Sequence, residues 1–577
     1  MLAPLVAIAY AFIALALPVF AAPAQSQDQA INTTNRGVPR AEDRQSSEAP
    51  KAIEVPAPAT ASETDSPMKS PEGDEASASK LQELISARLP KLIELPADRT
   101  AVGAFYRERG YRPLWTSNGA ATPRARTVIA FLQNVTSEGL DPSDYPTPFF
   151  SANQSDENTA ANEINLTRSV LTYARHASAG RVSFTRVSGS ILYPSHSADP
   201  TQVLSQIASA ENVQGIMLSF EPQQRGFTAL KAKLAKEMAA PDLLSDAQQP
   251  DTDSPKLKQR RSKVPSAKTR AKAEVIGSIT ANMERWRWLP RDLGAAYVMV
   301  NIPDYSLGVF NDGSLVWTTK IVTGQPGEKA TPLLSETMKY LTINPTWNVP
   351  PSIIRNEYLP ALQRDPNALN RIGLKVGRNH DGSIRVYQPP GARNALGRIR
   401  FNFPNPFLVY QHDTPNKNLF ARDTRALSHG CMRVQFPEKY AEVLLSISQP
   451  QDGMTVGRIS QYFGDDERTI VLKRPIPVHV TYQTAFFDEA GHFETRDDVY
   501  GLDAAVLKLM RGGDRLIADT PIARNYESSS KPVMARLPSR SLASGRWDER
   551  LDRENRIAGA YDGYPIRSIF DRAGASW

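Results

Sequence analysis

Two stretches of this 577-residue chain are too poor in apolar side chains to fold, and they fix how the rest can be organised. Residues 25–79, which include "EVPAPATASETDSPMKSPEGDEASASK", bury too little apolar area to offset their ordering entropy and read as a disordered linker. Residues 239–272 read as a second, basic linker that ends in "KLKQRRSKVPSAKTRAK". Two foldable blocks remain, with different periodicities. In 80–238, "KLQELISARLPKLIEL" and "TVIAFLQNVTSEGL" repeat apolar residues at three and four positions, predicting an α-helical domain. The second block, 273–436, opens on the helical "EVIGSITANMERWRWLPRDLG" and then alternates as strands do, with a turn at Asn311-Asp312-Gly313. Residues 437–510 add a helix, "EKYAEVLLSIS", and a hairpin turning near Glu489-Ala490-Gly491, while the polar tail 511–577 reads as loose. The fold class is therefore α+β, a mostly β domain with an α-helical partner and disordered linkers.

The first 24 residues pair an apolar run, Leu5 to Leu17, with small residues that offer cleavage sites, as a secretory signal peptide does. An uncleaved N-terminal anchor is the alternative, and the membrane enters only there, because no later stretch reaches the ~18 apolar residues of a spanning helix. Behind an export signal the basic run suits a solvated connector rather than a nucleic-acid site, since it carries prolines and no interleaved aromatics. A net charge of +7 is too small for this length to indicate a nucleic-acid partner. His176 and His196, in the helical block, read as structural histidines.

Exported proteins use cysteine in pairs, yet this chain has one, Cys431, in "SHGCMRV". A lone thiol is useful as a nucleophile when a base removes its proton. His429 is two positions away, and His412, at the end of a predicted strand, lies where a neighbouring strand end brings it within hydrogen-bond reach of Cys431. Gly430 allows a tight turn and leaves room for a substrate to approach the Cys431 N–H, which can stabilise an oxyanion. The competing reading is a metal site built from His412, His429 and Cys431, with poor His-x-Cys ligand spacing.

His412, fifteen further residues and then Ser428-His429-Gly430-Cys431-Met432-Arg433 resemble the signature of the L,D-transpeptidases, cysteine enzymes that crosslink bacterial peptidoglycan. "ERWRWLP", "INPTWNVPPSI", "QPPGARNALGRIRF", "YQHDTP", "LFARD" and "RDDVYG" are also similar to segments of the larger members. The resemblance implies a mostly β catalytic domain with a capping subdomain, here 344–400, and an α-rich scaffold. It makes Cys431 the nucleophile and His412 the general base and acid. It gives Gly430 and Cys431 the oxyanion N–H groups and has His429 shape the pocket, while Arg433, where many members have Asn, holds the loop or a substrate carboxylate. It implies no metal or organic cofactor, peptidoglycan stem peptides as donor and acceptor, an envelope protein as another acceptor, and a Gram-negative periplasmic location. The expected reaction is a 3→3 crosslink, with carboxypeptidase-like hydrolysis as the alternative and a non-catalytic wall-binding role as the third. Larger members carry a wall-binding helical module where this chain has its basic linker.

Overall fold

The computed structural model describes residues 72–240, 267–350, 353–378 and 384–512. The expected signal peptide, most of both linkers and the tail beyond 512 lie outside the described residues. The expected linker boundaries move inward. Helix α1 is Glu72–Leu92, so residues 72–79 are helical rather than part of the first linker. Acidic Glu75 lies near the helix start, where negative charge is favourable, and the Ser77 hydroxyl donates to Asp156 at 3.1 Å. Tertiary docking thus orders a sequence whose composition alone reads as loose.

The helical block is built on α1 and the long α2, Asp156–Ala179, with Ser155 capping the α2 N-terminus by accepting from Asn158 N–H. Its core includes Val102, Tyr106, Trp115, Val128 and Ile164. Buried Glu163 of α2 accepts from Tyr106 Oη at 3.0 Å and from the Trp115 N–H, tying "YRPLW" to the helix. Burial pushes its carboxyl up to about 7, against the N–H bonds that favour the anion. The block ends in α3, Arg225–Ala239.

Helix α4, Ala267–Trp288, joins the two blocks and takes in residues 267–272 of the expected second linker. Its "WRW" faces inward: Trp288 donates to Val182 O at 3.0 Å, and fully buried Arg287 pairs with Glu284 at 3.3 Å. His196 bonds Pro194 O and Arg287 O, and buried His176 bonds Tyr145 Oη, so both histidines are structural.

Strands β1 (Ala296–Asn301), β2 (Ser306–Asn311), β3 (Ser314–Gly324) and β4 (Leu333–Ile343) follow. Asp312 and Gly313 both have positive φ, 48° and 76°, which matches a two-residue hairpin turn of the twist strands prefer. Short strands β5 (Trp347–Asn348), β6 (Lys375–Arg378) and β7 (Ile384–Gln388) form a separate three-stranded sheet. That sheet lies over a small core of Val349, Ile354, Leu369, Leu374 and Val386, within the stretch assigned to the cap. Then come β8 (Ile399–Asn402), β9 (Gln411–His412), β10 (Ala426–Ser428), β11 (Met432–Val434), helix α5 (Pro437–Ser448) and β12 (Arg468–Thr481).

The main sheet runs β8-β9-β11-β3-β2-β1-β12-β4, and β8 also pairs with β4, so the sheet closes on itself. Its interior holds Val298, Leu307, Ile321, Leu341, Phe401 and Met432. The helical block contributes Ile191–Leu192, parallel to Leu333–Leu334 of β4. The hairpin predicted after α5 turns where expected, near Glu489-Ala490-Gly491, but its arms are shorter. Residues 468–481 form one long strand against β4, and the hairpin proper is Ala485–Phe487 with Phe493–Thr495. The β4 partner, distant in sequence, takes up the apolar run that local patterning assigns to a hairpin.

Candidate active site

β9 and β11 are parallel neighbours, with His412 opposite Arg433 and Gln411 opposite Met432. Cys431 immediately precedes β11, and Met432 N–H donates to Tyr410 O at 3.0 Å. The sheet therefore brings the His412 and Cys431 segments side by side, although fifteen residues separate the two motifs. His412 is buried, at 5% exposure. Its Nδ1 lies 2.5 Å from Asp413 O, and a carbonyl can only accept, so in the neutral ring Nδ1 carries the proton and Nε2 a lone pair. The Asp413 carboxylate accepts from Arg398 N at 2.8 Å and Lys417 Nζ at 2.6 Å, which holds this turn rigid.

Burial, then the charge of Arg433, lowers the His412 pKa to about 3, against the carbonyls of Asp413 and Leu396. Cys431 is half-buried, and burial pushes its thiol up to about 11, against hydrogen bonds from Tyr410 and the charge of Arg400. Both shifts favour the uncharged thiol and imidazole over an ion pair.

The thiol's partner is one the sequence reasoning missed. Tyr410 hydrogen-bonds Cys431, and the described hydrogen bonds of the His412 ring run to Asp413 and Leu396 rather than to the sulfur. The Tyr410 and His412 rings meet edge-on at 5.7 Å. Residues two apart on a strand share a face, so a tyrosine two before the histidine was the available signal. Arg400, from β8, lies over the Tyr410 ring at 5.4 Å. Buried Nε atoms of Arg400 and Arg433 have no hydrogen-bond partner among the described residues. Two guanidiniums with spare donors beside a thiol form a ready receptor for an anion.

His429 is exposed and does not join His412. Its Nε2 lies 2.5 Å from Glu357 Oε1, on the segment between β5 and β6, and Lys329 Nζ lies 3.4 Å from the same oxygen. This contact fastens the small three-stranded layer to the Cys431 loop. Gly430 differs from its expected role: its N–H donates to Ser428 Oγ at 3.1 Å, and that hydroxyl donates to Cys431 O at 2.6 Å. The φ of Gly430 is +114°, a conformation that other residues avoid. The alternative ligand set His412, His429 and Cys431 does not converge, because no group of three His, Cys, Asp or Glu able to hold a metal occurs among the described residues.

Residues 295–460 match the L,D-transpeptidase catalytic domain and 100–234 match the Scaffold domain. A Haemophilus influenzae protein provisionally named an L,D-transpeptidase is 25% identical over 420 residues, covering 70% of this chain and 78% of that protein. Among solved structures, the Ldtfm–avibactam carbamoyl enzyme is 14% identical at a TM-score of 0.17, with 34% of this chain and 51% of that one covered. Mycobacterium tuberculosis L,D-transpeptidase 1 is 15% identical at a TM-score of 0.15, covering 32% and 61%. The chain thus spans about half to three-fifths of these two structures. Residues 295–460 thus carry an L,D-transpeptidase catalytic domain, behind a Scaffold domain at 100–234.

Proposed function

We propose that this protein is an exported, periplasmic L,D-transpeptidase of a Gram-negative bacterium that forms 3→3 crosslinks between peptidoglycan stem peptides. The observation that carries this reading is the position of the only thiol, in a catalytic-domain loop beside the β9 imidazole and two guanidiniums with unpaired buried donors. In this mechanism the Cys431 sulfur attacks the carbonyl between the third residue of a tetrapeptide stem, a diamino acid, and the terminal D-alanine. The bond to the D-alanine nitrogen breaks and a thioester forms. His412 takes the thiol proton as sulfur bonds to carbon and delivers it to the departing amine. Because both groups rest uncharged, proton transfer accompanies attack and does not precede it. Arg433 with Arg400 receives the stem's terminal carboxylate. The side-chain amine of a second stem then attacks the thioester and restores the thiol. No metal or organic cofactor takes part.

The Glu357–His429 contact supports a closed cap that keeps water from the thioester, favouring amines over hydrolysis. Incubating the purified protein with disaccharide-tetrapeptide and reading products by mass tests the proposal. Crosslinked dimers with released D-alanine, absent for Cys431→Ala, are expected. D-Alanine release without dimers would replace the reading with a hydrolase, and dimers only when an envelope protein's amine is supplied would make that protein the acceptor. Equal binding of wild type and Cys431→Ala to sacculi, without any product, would leave a wall-binding role.

A further inference from the structure

Tyr500 lies beyond the matched catalytic segment, yet its hydroxyl is two hydrogen bonds from the Cys431 loop. It donates to Gly324 O at 2.6 Å and accepts from Thr331 N–H at 3.2 Å. Thr331 Oγ1 in turn accepts from Gly324 N–H at 2.8 Å and donates to Gly430 O at 2.8 Å. Each hydroxyl has one proton, and each carbonyl only accepts, so the direction of every bond in this circuit is fixed. The circuit needs close backbone approach: a Cβ at Gly324 would lie 2.0 Å from Lys329 O. Tyr500 is itself held, its N–H donating to Tyr482 Oη at 2.8 Å and its ring stacked on Tyr482 at 5.6 Å.

The circuit ends on the peptide between Gly430 and Cys431. In a planar trans peptide the C=O and N–H point in opposite directions. Holding Gly430 O on Thr331 therefore turns the Cys431 N–H away from the circuit, and it has no acceptor among the described residues. The Gly430 N–H is occupied by Ser428, so one of the two expected oxyanion donors remains. Glycine at 430 gives this peptide little steric preference of its own, and its orientation has to come from a hydrogen bond. We infer that Thr331, propped by Tyr500, is the positioning residue that aims the Cys431 N–H at the oxygen which becomes negative during acylation.

The inference rests on the reading of Cys431 as nucleophile, and two reactions of that one thiol separate them. Imipenem acylates it: the sulfur bonds to the lactam carbonyl carbon, the C–N bond of the ring breaks, and the thiol proton passes to the lactam nitrogen. Negative charge builds on the carbonyl oxygen meanwhile. Iodoacetamide alkylates the same sulfur by displacing iodide, with no oxyanion. Both adducts are followed by intact mass. Thr331→Val and Tyr500→Phe are expected to slow acylation about 10- to 100-fold, toward the loss seen on removing an oxyanion donor, with alkylation within about twofold of wild type. Thr331→Ser, which keeps the hydroxyl, restores acylation. Wild-type acylation rates in Thr331→Val and Tyr500→Phe, or equal falls in both reactions, would overturn the inference and leave the nucleophile reading standing. A wild-type protein that imipenem does not acylate would sink both.

Discussion

The charge state of the resting thiol can be measured directly, because Cys431 is the chain's only cysteine and any alkylation of a thiol reports on it alone. Burial pushes this thiol up to about 11. At pH 8 such a group is ionised in about one molecule in a thousand, a cost of ~4 kcal/mol at ~1.36 kcal/mol per unit. Lowering of the His412 pKa to about 3 acts in the same direction, since an imidazolium is then a poor resting partner for a thiolate. Alkylation by iodoacetamide, followed by intact mass between pH 6 and pH 9.5, is therefore expected to speed up about tenfold per pH unit without levelling off. His412→Ala should shift this profile little, because the ring does not hold a thiolate in the resting state. A plateau near pH 6–7 that disappears in His412→Ala would show a preformed thiolate–imidazolium pair and refute the reasoning.

Acidification should destabilise the fold through His412. Its folded pKa is depressed, so its stabilising contribution is complete above about 6.5 and is lost as pH falls toward about 3, up to ~5 kcal/mol. Thermal melts of wild type should fall more steeply over this window than those of His412→Asn, and parallel slopes would argue against it. Glu357→Gln removes the charge facing His429 and Lys329; both contacts are well exposed, so a loss of about 1 kcal/mol or less is expected. Hydrogen exchange should then quicken in 353–378 and hardly change in β1–β4, whereas unchanged exchange would mean these side chains do not hold the cap. Arg287→Met leaves Glu284 buried without its partner, and denaturant unfolding should show a loss of about 3–5 kcal/mol. A loss below about 1 kcal/mol would mean that other groups take up the Glu284 charge.

Local signals in the sequence carried much of the fold. Asp312-Gly313 specified a hairpin because few residue pairs accept two positive φ values, and the three-and-four spacing of 80–238 specified helices. The spacing of His412 and Cys431 foretold neighbouring strands, which the β9–β11 ladder supplies. What local patterning missed depends on partners distant in sequence. Residues 468–481 form a single strand because β4 lies alongside, and 72–79 are helical because Ser77 reaches Asp156. Glu357 meets His429 across 72 positions and Thr331 meets Gly430 across 99, with no periodicity to announce either. Tyr410 was legible only as a strand neighbour of His412, which gave its face but not its contact with the sulfur.

Tyr500 stands about forty residues past the end of the catalytic match at 460. A shortened recombinant fragment ending at that border would keep Cys431, His412 and every other signature residue, yet lose β12 from the main sheet and, with Tyr500, the outermost strut of the Cys431 turn. Such a fragment would look complete by its motifs and be mechanically unfinished.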